Sequence, residues 1–281
     1  MNETGSQHPQ SNRHHRPWLS FPEGVPEILY EAREVVVINK PAGILVQGPP
    51  GVPSLVELVR DFLATRSPPG SGVYLGVPHR LDRPVTGAIL FTRHTRATRR
   101  ITEQFESRSI RKLYWAVVEG MVYPPEGEWR DHMRKIPDVP QAEIVPENHP
   151  DARLAVLRYR LLQQWDGLSW LEIELETGRM HQIRVQAASR GHPVVGDWQY
   201  GARRRVGPQH PDPRFCPIAL HARELHFLHP MTFEPIDITA PLPRFWEELS
   251  DSFRPWLGKH LGVIDGLGDH PLEPPERFQQ L

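Results

Sequence analysis

The stretch VPHRLDRPVTGAIL, residues 77–90, carries a single carboxylate, Asp82, between Arg80 and Arg83, and passes through Pro84 and Gly87 into an apolar run. Apolar flanks on both sides bring Asp82 to the rim of a sheet. The neighbouring guanidinium groups favour the charged carboxylate, which suits a nucleophile or an electrostatic stabiliser better than a general acid. Taken alone, the same residues also describe a surface turn with incidental ion pairs.

Outward from this stretch, Gly87 opens the short strand AILFT, and Thr95 to Ser107 places Ala97, Ile101 and Phe105 at helical spacing among arginines. Towards the N-terminus, VVVIN (35–39) reads as a buried strand closed by the turn signal KPAG. Ser54 and Glu57 form an S-x-x-E capping box, and Leu55, Leu58, Val59, Phe62 and Leu63 share one helical face. Towards the C-terminus, LYWAVVEG (113–120) is a strand, and LAVLRYRLL and SWLEIELE around Asp166-Gly167 form an antiparallel hairpin with a multi-residue loop. Residues 121–150, rich in Pro and Glu, read as a loop with the character of an insertion. His181 to Arg190, stopped by Gly191, is a helix, strands follow at 218–228 and 236–240, and a last helix contains Phe245, Trp246 and Leu249. Runs of antiparallel strands with helices interspersed indicate an α+β fold rather than a doubly wound sheet. Residues 1–24 and 256–281 lack a core pattern and are expected to be a disordered arm and a C-terminal extension around one folded unit, 25–255.

The 281 residues are enough for one large domain, and with 38% hydrophobic and 24% charged residues a globular chain is expected. No apolar run approaches the ~20 residues that span a bilayer, and the opening lacks the ~7–15 apolar residues of a secretory signal. The only cysteine, Cys216, excludes an internal disulfide framework, and a cytoplasmic monomer is expected. Net charge is −1, so global charge does not announce a nucleic-acid partner, but the distribution is uneven. Only Lys40, Lys112, Lys135 and Lys259 are lysines; seven basic residues lie between Arg93 and Lys112, and Arg203, Arg204 and Arg205 are consecutive. Each cluster describes either a phosphate-binding surface or a solvated face.

Nucleotide-binding glycine loops, G-x-S-x-G and H-E-x-x-H are absent, and HRLD departs from the kinase H-R-D by one inserted residue. His210, Asp212, Cys216, His221, His226 and His229 match no familiar zinc spacing, so neither a metal nor a cofactor is expected. In ETGRMHQIRVQAASRGHPVVGDWQYG (176–201), Arg179, His181, Gln182 and Arg184 crowd the first turns of a helix, where free N–H groups attract anions. Arg184 is a natural partner for a buried carboxylate.

Five blocks, HRLDRPVTG (79–87), RKLYWAVVEG (111–120), ETGRMHQIRVQ (176–186), GHPVVGDWQYG (191–201) and LHARELHFLHP (220–230), resemble in order and spacing the RluA family of RNA pseudouridine synthases. The resemblance covers about residues 30–250. Val85-Thr86 stands where many members have Thr-Ser, and Gln186 where many have His. The small N-terminal RNA-binding domain of many members is not expected, since the pattern begins by about residue 28. The resemblance implies one catalytic domain with a long, mixed but mainly antiparallel sheet, flanking helices and a central cleft. It also implies isomerisation of uridine within ribosomal or transfer RNA without a cofactor.

By the family pattern, Asp82 is the catalytic carboxylate, Arg184 the cation that holds it, and Tyr114 the aromatic platform for a base taken out of its stack. Arg80 is suggested to fill the gap that base leaves. His79, Arg83, Arg179, His181 and Gln182 are the further candidate RNA contacts. Two rivals share parts of this pattern. A nucleoside or glycoside hydrolase would need a second carboxylate, which none of the blocks places beside Asp82. A catalytically silent RNA-binding protein of the same fold is expected to have lost Asp82, Tyr114 or Arg184, and all three are present.

Overall fold

The computed structural model describes residues 25–68 and 70–249. The expected N-terminal arm (1–24) and C-terminal extension (256–281) lie outside the described residues. The elements are β1 (Ile28–Glu31), β2 (Val35–Lys40), α1 (Leu55–Thr65), β3 (Thr86–Thr92), α2 (Thr95–Glu106), β4 (Arg111–Glu119), β5 (Glu126–Lys135) and β6 (Ala142–Val145), then β7 (Arg153–Trp165), β8 (Leu168–Leu175), α3 (Gln182–Ser189), β9 (Leu220–Leu228) and β10 (Pro235–Thr239).

The apolar run of β2 is uninterrupted because both faces are covered. Val36 and Ile38 pack with Ile89, Phe91 and the α1 residues Leu55, Val59 and Leu63. Val35 and Val37 point the other way, onto Ile101 of α2 and Leu225 and Phe227 of β9. The capping box opens α1, with the Glu57 carboxylate accepting from the Ser54 N–H at 2.9 Å and the Glu57 N–H donating to the Ser54 hydroxyl.

All ten strands form one sheet in the order β1-β2-β3-β9-β4-β8-β7-β5-β6, with β10 also on β9. Every pairing is antiparallel except the short parallel contact of Thr86 and Gly87 with His221 and Ala222. Gly87 is required there: its φ is +112°, and a Cβ would meet the Ala222 backbone, with the amide nitrogen at 2.7 Å.

Three expectations are corrected. Residues 121–150 are not a loop: they hold β5 and β6, which extend the sheet at its edge through pairing of β5 with β7. Only Trp129 and Met133 of β5 are buried, so its polar residues and the prolines around its turns hide a half-covered strand. The β7–β8 hairpin closes on two residues, Asp166 (φ 45°) and Gly167 (φ 72°), a type I′ signature that fits Asp-Gly. Phe245, Trp246 and Leu249 lie in a 3₁₀ turn over Arg244–Leu249 rather than an α-helix.

At the parallel contact, the Thr86 hydroxyl donates to His221 Nδ1 at 2.8 Å, and Nε2–H donates to the Ala240 carbonyl at 3.2 Å. Burial pushes the His221 imidazole down to about 3, the Ala240 bond opposing and Arg223 adding to the effect. Between about 3 and its ordinary value of about 6.5, the unfolded chain binds a proton here that the folded chain refuses, so stability falls as pH drops through this window. At pH 5 the loss from this residue is about 2 kcal/mol. Urea unfolding at pH 7 and pH 5 is expected to show a smaller pH effect in His221→Gln than in the parent protein; equal losses would refute the assignment.

Candidate active site

Asp82 precedes β3 on a tight loop that is pinned from beneath. Lys40, the last residue of β2, is fully buried and donates to the carbonyls of Pro41 (2.9 Å), Arg83 (3.0 Å) and Val85 (2.8 Å). Burial pushes its ammonium down to about 7, the Asp82 charge pulling it back up and Arg83 adding to the fall. The Gly43 N–H donates to the Arg83 carbonyl at 2.9 Å, and the Val85 N–H to that of Asp82 at 3.2 Å. The loop is thus tied on both sides of Arg83, leaving the Asp82 side chain 28% exposed at the rim.

Arg184 reaches the same point from α3 and is 3% exposed. Its main partner is Asp197, itself 1% exposed: Nε donates to Oδ2 at 2.6 Å and Nη2 to Oδ1 at 2.8 Å. Nη2 also donates to Gln199 Oε1 at 2.8 Å, and Nη1 to Asp82 Oδ2 at 3.2 Å, while the guanidinium lies 4.9 Å over the Tyr200 ring. Burial alone would lower its pKa, but the hydrogen bond to Asp197 and the charges of Asp197 and Asp82 outweigh that and hold the group above its ordinary value. The planar fork is fixed on three sides, so the cation offered to Asp82 has one direction. Asp197, Gln199 and Tyr200 were not singled out from the sequence. The available signal was a lone carboxylate after the buried pair Val194-Val195.

Tyr114 is buried on β4, close enough for the Asp82 charge to act on it. Burial first and that charge second push its phenol up, so it keeps its proton at neutral pH. Arg80 and Arg179 are exposed. The Lys112 ammonium sits 6.0 Å over the Phe105 ring, which packs against His79, the neighbour of Arg80. Arg83 lies 4.9 Å over the Phe215 ring.

Two candidate RNA contacts are bonded within the fold instead. Gln182 is buried, its Oε1 accepting from the Thr177 hydroxyl (2.7 Å) and the Arg179 N–H (3.0 Å), and its Nε2 donating to the Val156 carbonyl at 3.1 Å. It locks the turn before α3 onto β7. His79 is half-buried: its Nε2 accepts from the Leu90 N–H at 2.9 Å, and burial, with the Lys112 charge adding to it, pushes the ring down to about 3, so it stays neutral at pH 7. The basic run 93–112 is likewise divided: Arg93 holds Glu31, and Arg100 the Pro230 carbonyl and the Phe233 ring.

A reachable carboxylate held by one buried, doubly clamped arginine, beside a buried tyrosine at the rim of a mixed sheet, is a site built to present one oriented carboxylate to a substrate. Asp197, the second carboxylate, has both oxygens bonded to Arg184 and is closed to solvent, so it is no partner for acid–base work with water.

The RNA pseudouridylate synthase family profile matches residues 34–189. An RNA pseudouridine synthase of Synechocystis is 36% identical over 228 residues, 79% of this chain and 67% of that protein. The ribosomal large subunit pseudouridine synthase D of Xanthomonas campestris is 35% identical over 241 residues, 83% of this chain and 71% of that protein. Among solved structures, human RNA pseudouridylate synthase domain containing 4 superposes with a TM-score of 0.64 at 24% identity, covering 79% of this chain and 90% of that one, a likeness of fold. The chain belongs to the RNA pseudouridylate synthase family and is an isomerase acting on RNA. No helix among the described residues is long and apolar enough to cross a membrane.

Proposed function

We propose that this enzyme converts uridine to pseudouridine in large-subunit ribosomal RNA, as a cytoplasmic monomer, with Asp82 as the reacting carboxylate. The observation that carries the reading is the asymmetry of the Asp82–Arg184 pair: the cation is buried and clamped by Asp197, whereas the carboxylate stays open at the rim. The reaction breaks the N1–C1′ bond, turns the base and forms C5–C1′; a proton leaves C5 and N1 gains one, so the composition is unchanged. Asp82 serves this exchange by acting at the ribose or base, Arg184 holds it oriented, and the protonated Tyr114 offers an aromatic face to the displaced base. The target class rests on relatives named for the large ribosomal subunit. Pseudouridine mapping in total RNA from cells with and without the gene tests it. A site lost from large-subunit RNA is the expected result, and one lost only from transfer RNA would overturn the target.

Arg80 and Arg179 are the exposed cations that the two motif loops offer to a phosphate backbone. Arg80→Gln combined with Arg179→Gln is expected to flatten the dependence of log K on log salt by about 1–2, because up to two fewer phosphates are neutralised. An unchanged slope would make both residues a solvated face.

A further inference from the structure

His181 precedes α3 with φ 53°, a left-handed backbone that a non-glycine residue seldom adopts, and its side chain does not cap the helix. The ring is turned inward instead. Its Nδ1 is 2.7 Å from the Tyr200 hydroxyl, and its Nε2 is 3.7 Å from Asp82 Oδ2, the oxygen that also accepts from Arg184.

The hydrogen positions follow from the partners. The Tyr200 oxygen already accepts the Ala142 N–H at 3.0 Å, so the phenolic hydrogen goes to the acceptor at hydrogen-bond distance, His181 Nδ1. A neutral imidazole that accepts at Nδ1 carries its proton on Nε2, directed at Asp82. The opposite tautomer would leave the phenolic hydrogen without this acceptor and aim a lone pair at a carboxylate. The charged groups around the ring are Asp82, Arg184 and Asp197. Burial favours the neutral ring, Asp82 and Asp197 acting against it and Arg184 with it. Burial also pushes the Tyr200 phenol up, so it remains a donor.

We propose that His181, held in its Nε2–H tautomer by Tyr200, is a positioning residue that with Arg184 pins Oδ2 of Asp82 and leaves Oδ1 as the oxygen presented to the substrate. Among the described residues nothing hydrogen-bonds Oδ1, whereas Arg184 Nη1 donates to Oδ2 and His181 Nε2 lies 3.7 Å from that same oxygen. Arg184 fixes Oδ2, and a second donor closing on the same oxygen sets the rotation of the carboxylate; because that second donor is neutral, the site steers the anion without adding a second cation against it. The 3.7 Å separation is long for a hydrogen bond without substrate and leaves room to tighten when RNA binds.

The proposal rests on Asp82 being the reacting carboxylate, and its test separates the two. In protein labelled with ¹⁵N-histidine, the resonance absent from His181→Asn identifies His181 and reports its tautomer without reference to activity. The Nε2–H form is expected, and Tyr200→Phe should convert it to a mixture. Single-turnover rates should fall about tenfold or more in Tyr200→Phe and in His181→Asn, which tolerates the left-handed backbone but is too short to reach Asp82, while RNA affinity is retained. His181→Gln, whose amide nitrogen takes the place of Nε2, should recover most of what Asn loses. An Nδ1–H tautomer in the parent protein, or equal losses in the Asn and Gln variants, would overturn the proposal. Turnover by Asp82→Asn would instead overturn the catalytic reading beneath it.

Discussion

Asp82→Asn is expected to remove pseudouridine formation, by about 10³-fold or more, while RNA binding changes by no more than about twofold. The amide keeps the volume of the carboxylate, and its oxygen can still accept from Arg184 Nη1, but the negative charge is gone. The fold should not suffer, because Arg184 retains Asp197 and Gln199, and Asp82 is an open rim residue whose ion pair contributes at most about 1 kcal/mol. Phosphate contacts from arginines elsewhere are untouched. Yield and binding can be measured on one transcribed RNA fragment together with a melting curve. Substantial turnover by the variant would sink the assignment of Asp82 as the reacting group.

Arg184→Met should behave differently, and the reason is Asp197. Removing the guanidinium takes one donor from Asp82, which water can replace, but it strands the Asp197 carboxylate at 1% exposure with neither of its Arg184 hydrogen bonds. Breaking a buried pair in this way costs about 3–5 kcal/mol, equivalent to roughly 10 °C in Tm for a domain of this size. The variant should therefore lose both stability and activity. Adding Asp197→Asn should restore much of the stability by removing the unpaired charge, yet leave the enzyme inactive, because Asp82 still lacks its cation. If the double variant melts as low as the single one, the cost lies in packing around the long side chain instead.

The strands and helices that were legible in the sequence are those whose periodicity is set by burial on one face, such as α1 with its capping box, or by burial on both, such as β2. What was not legible is polar and set by partners far away in the chain. β5 has only two buried side chains in ten residues, so nothing in its own pattern distinguishes it from the Pro-rich turns beside it; its pairing with β7 makes it a strand. Asp82 and Arg184 stood out in blocks dense in charge and were paired through the resemblance of those blocks to a family, but the clamp of Arg184 by Asp197 is a tertiary fact. Gln182 misled because a polar side chain at a helix start looks alike whether it meets RNA or the Val156 backbone. Lys40 left a fainter trace: in a chain with 29 arginines and four lysines, a lysine closing an apolar run marks a place where a compact point charge fits between three carbonyls and a guanidinium does not.

The position of β9 has a consequence for how the molecule comes into being. Its neighbours β3 and β4 are both synthesised well before it, and the Thr86–His221 bond at the parallel contact spans 135 residues of chain. On a translating ribosome the two halves of the sheet therefore emerge with raw edges facing each other, and the strand that joins them arrives among the last to be made. Until then Asp82 and Lys40 belong to one fragment, Tyr114, Arg184 and Asp197 to another, and no half-made chain holds a working site. Nascent chains in that interval carry two sticky strand borders at once, so the same central strand that completes the enzyme also sets the period in which it most needs a chaperone.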